Sequence, residues 1–228
     1  MRVCNNLRSA EVQQMCAMLG DVLAAHHAGT PGDAVPGLAE RMAGLFRADI
    51  CMLGEVPRGS GPTSWSRLTE RGWAGHDQRQ TLISGLERAE TADPALRAAL
   101  DRATDCLTLT RRELVDDETW YGSAHVSGHR GPAGLDDELV SVWTNGPRQG
   151  WAGVILLHRV DDRPPFDDAA AGLLDVLHRQ LAPMIWAAEL IPPVTLGPGP
   201  DIGLKPPLHD HGLTPAQLRV VPYILQGY

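Results

Sequence analysis

The sequence predicts an α+β fold in which an antiparallel sheet is flanked by helices. Three observations carry this. Two pairs of strand-like segments are each joined by a short turn, at residues 48–73 and 136–160. Helical patterns come before, between and after those pairs. Strand and helix do not alternate strictly, as the crossovers of a parallel sheet would require.

Ser9 is placed to cap a first helix, whose apolar residues Val12, Met15, Cys16, Leu19, Val22 and Leu23 recur at three- and four-residue steps. "HHAGTPGD" breaks it, and a second helix is expected from about Asp33, with Val35, Leu38, Met42 and Leu45 on one face. "ADICMLGEV", Ala48 to Val56, is short, apolar and rich in strand formers. "PRGSGP" then supplies a turn, and "TSWSRLTERGW" returns as an antiparallel partner.

"HDQRQTLISGLERAE" is expected to be helical, with Leu82, Ile83 and Leu86 on one side. "DPALRAALDRA" begins with Asp93 as cap and Pro94 at the first helical position. "CLTLT", Cys106 to Thr110, is a short strand. Thr110 and Glu113 have capping-box spacing, and Asp117 is expected to cap a helix through "ETWYGSAHV". "DDELVSVWTN" and "GWAGVILLHRV" flank "GPRQG" as a hairpin. Phe166 and Asp167 start a long helix striped by Leu173, Leu174, Leu177, Leu181, Met184 and Ile185.

The 228 residues allow one full domain and a remainder, at about 100–200 residues per domain. A hydrophobic content of 43% with 21% charged residues is ordinary for a chain with a buried core. The net charge of -8 repels a phosphate backbone, so the bulk of the chain is not expected to grip nucleic acid. No apolar run approaches the roughly 18–20 residues that span a bilayer, and the first residues lack the pattern of a secretion signal. The four cysteines, Cys4, Cys16, Cys51 and Cys106, are scattered without a CxxC pair. Reduced thiols in the cytoplasm are expected, packed in apolar surroundings, with redox sensing at Cys51 or Cys106 as the alternative.

Residues 1–190 form the expected folded domain. Residues 191–212, "IPPVTLGPGPDIGLKPPLHDHG", hold six prolines and four glycines and read as a linker. In residues 213–228, Thr214 is a good cap, Pro215 sits at the first helical position, and Leu218, Val221 and Leu225 share a face before Gly227.

"LTPAQLRVVPYILQG" resembles the first helix of the LuxR-type helix-turn-helix domain, through Leu213, Thr214, Pro215, Val220, Val221, Leu225 and Gly227. Ala216-Gln217 stands where that family often has Arg-Glu, and Pro222 lies inside the helix. The resemblance implies that the helices contacting DNA would lie beyond Tyr228. These residues by themselves are then expected not to bind an operator. The upstream order of helices, sheet, insertion and long exit helix resembles the GAF sensor fold. "LTLTRRELVDDETWYGSAHV" and "WAGVILLHRVDDRPPFDD", with Trp120-Tyr121, His158-Arg159 and Phe166, resemble the sensor half of bacterial LuxR-type regulators with a GAF-like input domain.

No catalytic constellation is found: there is no GxSxG elbow, and "GSGP" lacks the lysine of a phosphate loop. His125 and His129 have i, i+4 spacing without the glutamate of a zinc-protease helix, and read as surface or capping histidines. "HDH", His209 to His211, falls in the linker, so no metal and no cofactor is expected. Asp136-Asp137-Glu138, Asp161-Asp162 and Asp167-Asp168 read as solvated turns and caps. For a ligand, the expected lining is Trp65, Trp120, Tyr121 and Trp143, with Arg130 or Arg159 offering a cation. The expected function is the signal-sensing part of a DNA-binding regulator, not itself catalytic, cytoplasmic, homodimeric and responsive to an unknown small molecule. The alternative is a stand-alone small-molecule-binding or protein-interaction domain without DNA binding.

Overall fold

Alternation of side chains along five strands divides the apolar residues into two cores, one on each face of a single sheet. The computed structural model describes residues 9–28, 31–59, 64–88, 92–146 and 148–187. The linker and the LuxR-like segment lie outside the described residues.

The strands are β1 (Ile50–Pro57), β2 (Arg67–Arg71), β3 (Cys106–Thr110), β4 (Leu135–Trp143) and β5 (Trp151–Val160). Their order across the sheet is β2-β1-β5-β4-β3, with every neighbouring pair antiparallel. Both expected hairpins form, β1 with β2 and β4 with β5. The two apolar strands, β1 and β5, lie side by side near the centre, where both of their faces are covered.

Three helices cover one face: α1 (Ser9–His27), α2 (Pro31–Phe46) and α7 (Asp168–Ala187). Met15, Met18, Val22, Leu38 and Met42 meet Leu174, Leu177, Leu181 and Ile185 there, against Cys51, Leu53, Leu139, Ile155 and Leu157 of the strands. The second face takes α3 (His76–Leu86), α4 (Pro94–Arg102) and the segment after β3. Leu82, Leu86, Leu96, Ala99 and Leu100 pack there on Ile50, Met52, Val140, Val154 and Leu156. At about 25 cal/mol per Å² of apolar area, cores of this kind are the main stabilising contribution. Gly54 lies under Trp65, and an added Cβ would overlap both its ring and the Arg67 carbonyl oxygen. Absence of a side chain there lets the indole lie on the edge of the sheet.

The segment after β3 departs from expectation. Thr110 and Glu113 do form the capping box of a short α5 (Arg111–Leu114). Asp116, rather than Asp117, caps α6 (Asp117–Gly122), its carboxylate accepting from the Thr119 N–H at 2.7 Å. The expected single helix stops at Gly122, and Val126–Arg130 forms a π turn closed by Gly131 N–H to Val126 O at 2.8 Å. Among the described residues, no helix is long and apolar enough to cross a membrane.

Candidate ligand site

The second face of the sheet carries a buried polar cluster built from three separate elements. Asp93 supplies its anion. One carboxylate oxygen caps α4, accepting from Ala95 N–H at 2.9 Å and Leu96 N–H at 3.0 Å. The other turns inward, 3.2 Å from His125 Nε2 and 3.3 Å from Arg130 Nη1. The sheet supplies the opposite wall. Glu138 on β4 pairs in register with His158 on β5, and both side chains are fully buried.

Arg130 ties these elements together. Its Nη1 lies 2.7 Å from Glu138 Oε2 and 3.2 Å from His158 Nδ1, and its Nη2 donates to the Asp137 carbonyl at 3.3 Å. The guanidinium also sits over the Trp120 ring, 4.8 Å from its centroid, while Arg111 lies 5.3 Å from the same centroid. The π turn positions Arg130, because its extra residue per turn changes which side chains face the sheet. Val126 and Arg130 turn inward while Ser127 and Gly128 stay exposed. Gly85 of α3 admits this turn closely: the His129 ring occupies the place of its Cβ, and His129 Nδ1 bonds the Thr81 carbonyl at 3.0 Å.

Protonation follows from burial and neighbours. Burial by itself raises the Asp93 carboxyl, but His125 and Arg130 beside it hold the acid well below its ordinary range, so it is ionised. Burial pushes Glu138 well up, reinforced by the Asp93 charge, and so favours its neutral acid. Burial lowers His158 well below the ordinary histidine value, with Arg130 adding to the effect. A guanidinium can only donate, so His158 Nδ1 accepts and its proton sits on Nε2.

Four atoms of this cluster have no hydrogen-bond partner among the described residues: Trp120 Nε1, Arg130 Nε, Glu138 Oε1 and His158 Nε2. Leaving such a buried group unpaired costs about 1–3 kcal/mol. The opposite face behaves differently. Trp186 Nε1 donates to His178 Nε2 at 3.2 Å, His178 Nδ1 lies 2.6 Å from Ser141 Oγ, and Ser141 Oγ lies 2.6 Å from Thr108 Oγ1. Burial lowers His178 to about 3, so it is neutral, and the Trp186 bond assigns its proton to Nδ1. In that tautomer the imidazole donates to Ser141 and cannot take its proton, so this Ser–His pair is structural, not a nucleophile and its base.

No protein-family model matches the chain, and no curated protein matches it. Among solved structures, it is similar to "the GAF domain of a putative sensor histidine kinase" from Pseudomonas syringae pv. tomato. The two share 17% identity over 80% of this chain and 86% of that one, with a TM-score of 0.43.

The structure separates the tryptophans and arginines that the sequence grouped as a ligand lining. Trp65, Trp120 and Arg130 lie on the second face. Trp143 falls on the first face, because it has the same strand parity as Leu139 and Ser141. Tyr121 is 52% exposed and donates to Asp136 at 2.9 Å. Arg159 covers the Phe166 ring and donates to the carbonyls of Phe46, Arg47 and Pro164. One pocket lined by all six is therefore not formed. Two readings also need correcting: His125 is buried against Asp93 instead of lying at the surface, and Asp137 and Glu138 are buried instead of solvated. Among the described residues, no group of three or more His, Cys, Asp and Glu is placed to hold a metal ion.

Proposed function

We propose that the chain is the signal-sensing part of a bacterial transcriptional regulator. In this reading residues 1–190 are a GAF-like sensor domain, 191–212 a linker and 213–228 the start of a LuxR-type helix-turn-helix. A small molecule binds, without turnover, on the sheet face covered by α3, α4 and the π turn. The observation that carries the reading is the contrast between the two faces. The Thr108–Ser141–His178–Trp186 chain is closed, whereas the Arg130 cluster keeps four buried polar atoms unpaired. Native proteins leave few such groups, and a site awaiting a ligand is one recognised reason for them. Support for the output half comes from the residues at 213–227 quoted above.

Binding is tested by screening a metabolite library against the purified chain and following amide hydrogen exchange. Protection confined to α3, α4, the π turn and the facing strands is expected, with the bound compound recovered unchanged. The output half is tested by joining residues 1–212 to the complete helix-turn-helix domain of a LuxR-type regulator whose operator drives a reporter. Reporter output should follow the same compound. A library that protects nothing on that face would remove the sensor reading.

A further inference from the structure

Resting on that sensor reading, we infer that Asp137 and Arg159 form a clamp on Phe166 through which the second face of the sheet sets the position of α7. The inference comes from two consecutive cross-strand pairs. Glu138 on β4 stands opposite His158 on β5, and Asp137 stands opposite Arg159 one step along. Successive side chains of a strand point to opposite faces, so the two pairs work on opposite sides of one sheet.

The pair on the second face grips Arg130 of the π turn, with Glu138 Oε2 at 2.7 Å and His158 Nδ1 at 3.2 Å from its Nη1. The pair on the first face grips Phe166. Asp137 Oδ2 accepts from the Phe166 N–H at 2.6 Å, and the Arg159 guanidinium lies 3.9 Å from the centroid of the Phe166 ring. Phe166 is buried and immediately precedes Asp167, which accepts from the Ala170 and Ala171 N–H groups in the first turn of α7. What holds Phe166 therefore holds the start of that helix.

Asp137 is also held from the other side. Arg130 Nη2 donates to its carbonyl at 3.3 Å, so one residue meets the π turn through its main chain and α7 through its side chain. The register shifts between Leu135 and Asp137, and Tyr121 of α6 donates to the intervening Asp136 carboxylate at 2.9 Å. A bulge of this kind interrupts the ladder and re-aims the side chains beside it. A change at the π turn then has only the thickness of one strand to cross before it meets α7, the last helix before the proposed linker.

The test follows residue-resolved amide exchange by NMR in the purified 228-residue chain. The Phe166 amide is expected to exchange about ten-fold more slowly than that of exposed Asp168. Asp137→Ala removes the acceptor and should raise Phe166 exchange about ten-fold, while Asp137→Asn, which keeps an acceptor oxygen, should restore most of the protection. From the other side, Arg130→Lys should raise Phe166 exchange about three-fold, and add nothing in the Asp137→Ala background. Tyr121→Phe, a change at an exposed position, makes the same test if Arg130→Lys fails to fold. Leu177 and Leu181, midway along α7, should be unchanged in all of these. Phe166 exchange untouched by both Arg130→Lys and Tyr121→Phe would overturn the coupling. So would a rise shared by Leu177 and Leu181, which reports general loosening, or effects that simply add to that of Asp137→Ala. If a library compound protects the second face yet leaves Phe166 unchanged, the coupling falls and the sensor reading stands. If no compound protects that face but the substitutions still move Phe166, the sensor reading falls and the coupling stands.

Discussion

Asp93 and Arg130 form a fully buried pair, 3.3 Å apart, in which the carboxylate also caps α4 through its other oxygen. The two duties can be separated by substitution. Asp93→Asn keeps a capping oxygen and removes the charge, leaving Arg130 less compensated in the core. Breaking a buried pair costs about 3–5 kcal/mol, so urea unfolding should show a loss of about 3 kcal/mol. Asp93→Ala should lose about a further 1 kcal/mol with the cap. The double variant Asp93→Asn/Arg130→Met should recover part of the loss, which a pure capping role would not allow.

His178 sets one limb of the stability profile. Its folded value, lowered by burial to about 3, lies below the ordinary 6.5 of an unfolded chain. Its contribution is therefore fully present above about pH 6.5 and is lost as pH falls toward 3. The slope from one such histidine approaches about 1.4 kcal/mol per pH unit. His158, also lowered, adds in the same direction. Denaturant titrations at pH 7, 5.5 and 4.5 should show a shallower decline for His178→Gln than for the unsubstituted chain.

Glu138 works in the opposite direction. Burial raises its folded value, so the stability it contributes is present below the ordinary glutamate range and is lost as pH rises. Glu138→Gln should change stability least near pH 4 and favour the variant increasingly toward pH 8. A variant equally stable or less stable at pH 8 would mean that the carboxylate is ionised and well paired in the fold.

Gly85 is a packing position for the π turn. A methyl group there collides with the His129 ring, and overpacking of this kind costs about 1–3 kcal/mol. Gly85→Ala should lose that amount in urea unfolding. Combining it with His129→Ala should restore part of it, since the second change empties the space the first one fills.

Thiol reactivity separates core cysteines from sensing ones. Burial raises the Cys51 thiol strongly and the Cys106 thiol to about 12, so neither supplies thiolate near neutral pH. Both should resist a disulfide reagent at pH 8 until denaturant is added. Rapid labelling of either in the native protein would reopen redox sensing.

The sheet, its two hairpins and the helices on each face were legible because they rest on local patterns: apolar periodicity, turn residues, and caps such as Asp93-Pro94. The cluster was legible only in part. Arg130 stood out as a cation among aromatics, but Glu138 read as a solvated residue at a strand end and His158 only as part of a family resemblance. A signal for both was present in strand parity. Glu138 shares a side with Val140 and Val142, and His158 shares one with Val154 and Leu156, so alternation places both in the core. Trp143 was misgrouped by ignoring the same alternation. Asp116 capping in place of Asp117, and the π turn, depend on backbone geometry that helix propensity does not encode.

The π turn makes the cluster sensitive to chain length, more than to side-chain identity. Between Val126 and Gly131 the chain carries one residue beyond an ordinary helical turn. Each helical residue advances by about 100° around the axis. Deleting Ser127 or Gly128, both exposed, would allow an ordinary turn and swing Arg130 away from Glu138 and His158. A loss of a single codon, touching no residue of the cluster, would then disconnect it. An added codon at the same place should do likewise, so diversification here would be expected to proceed by substitution at fixed length.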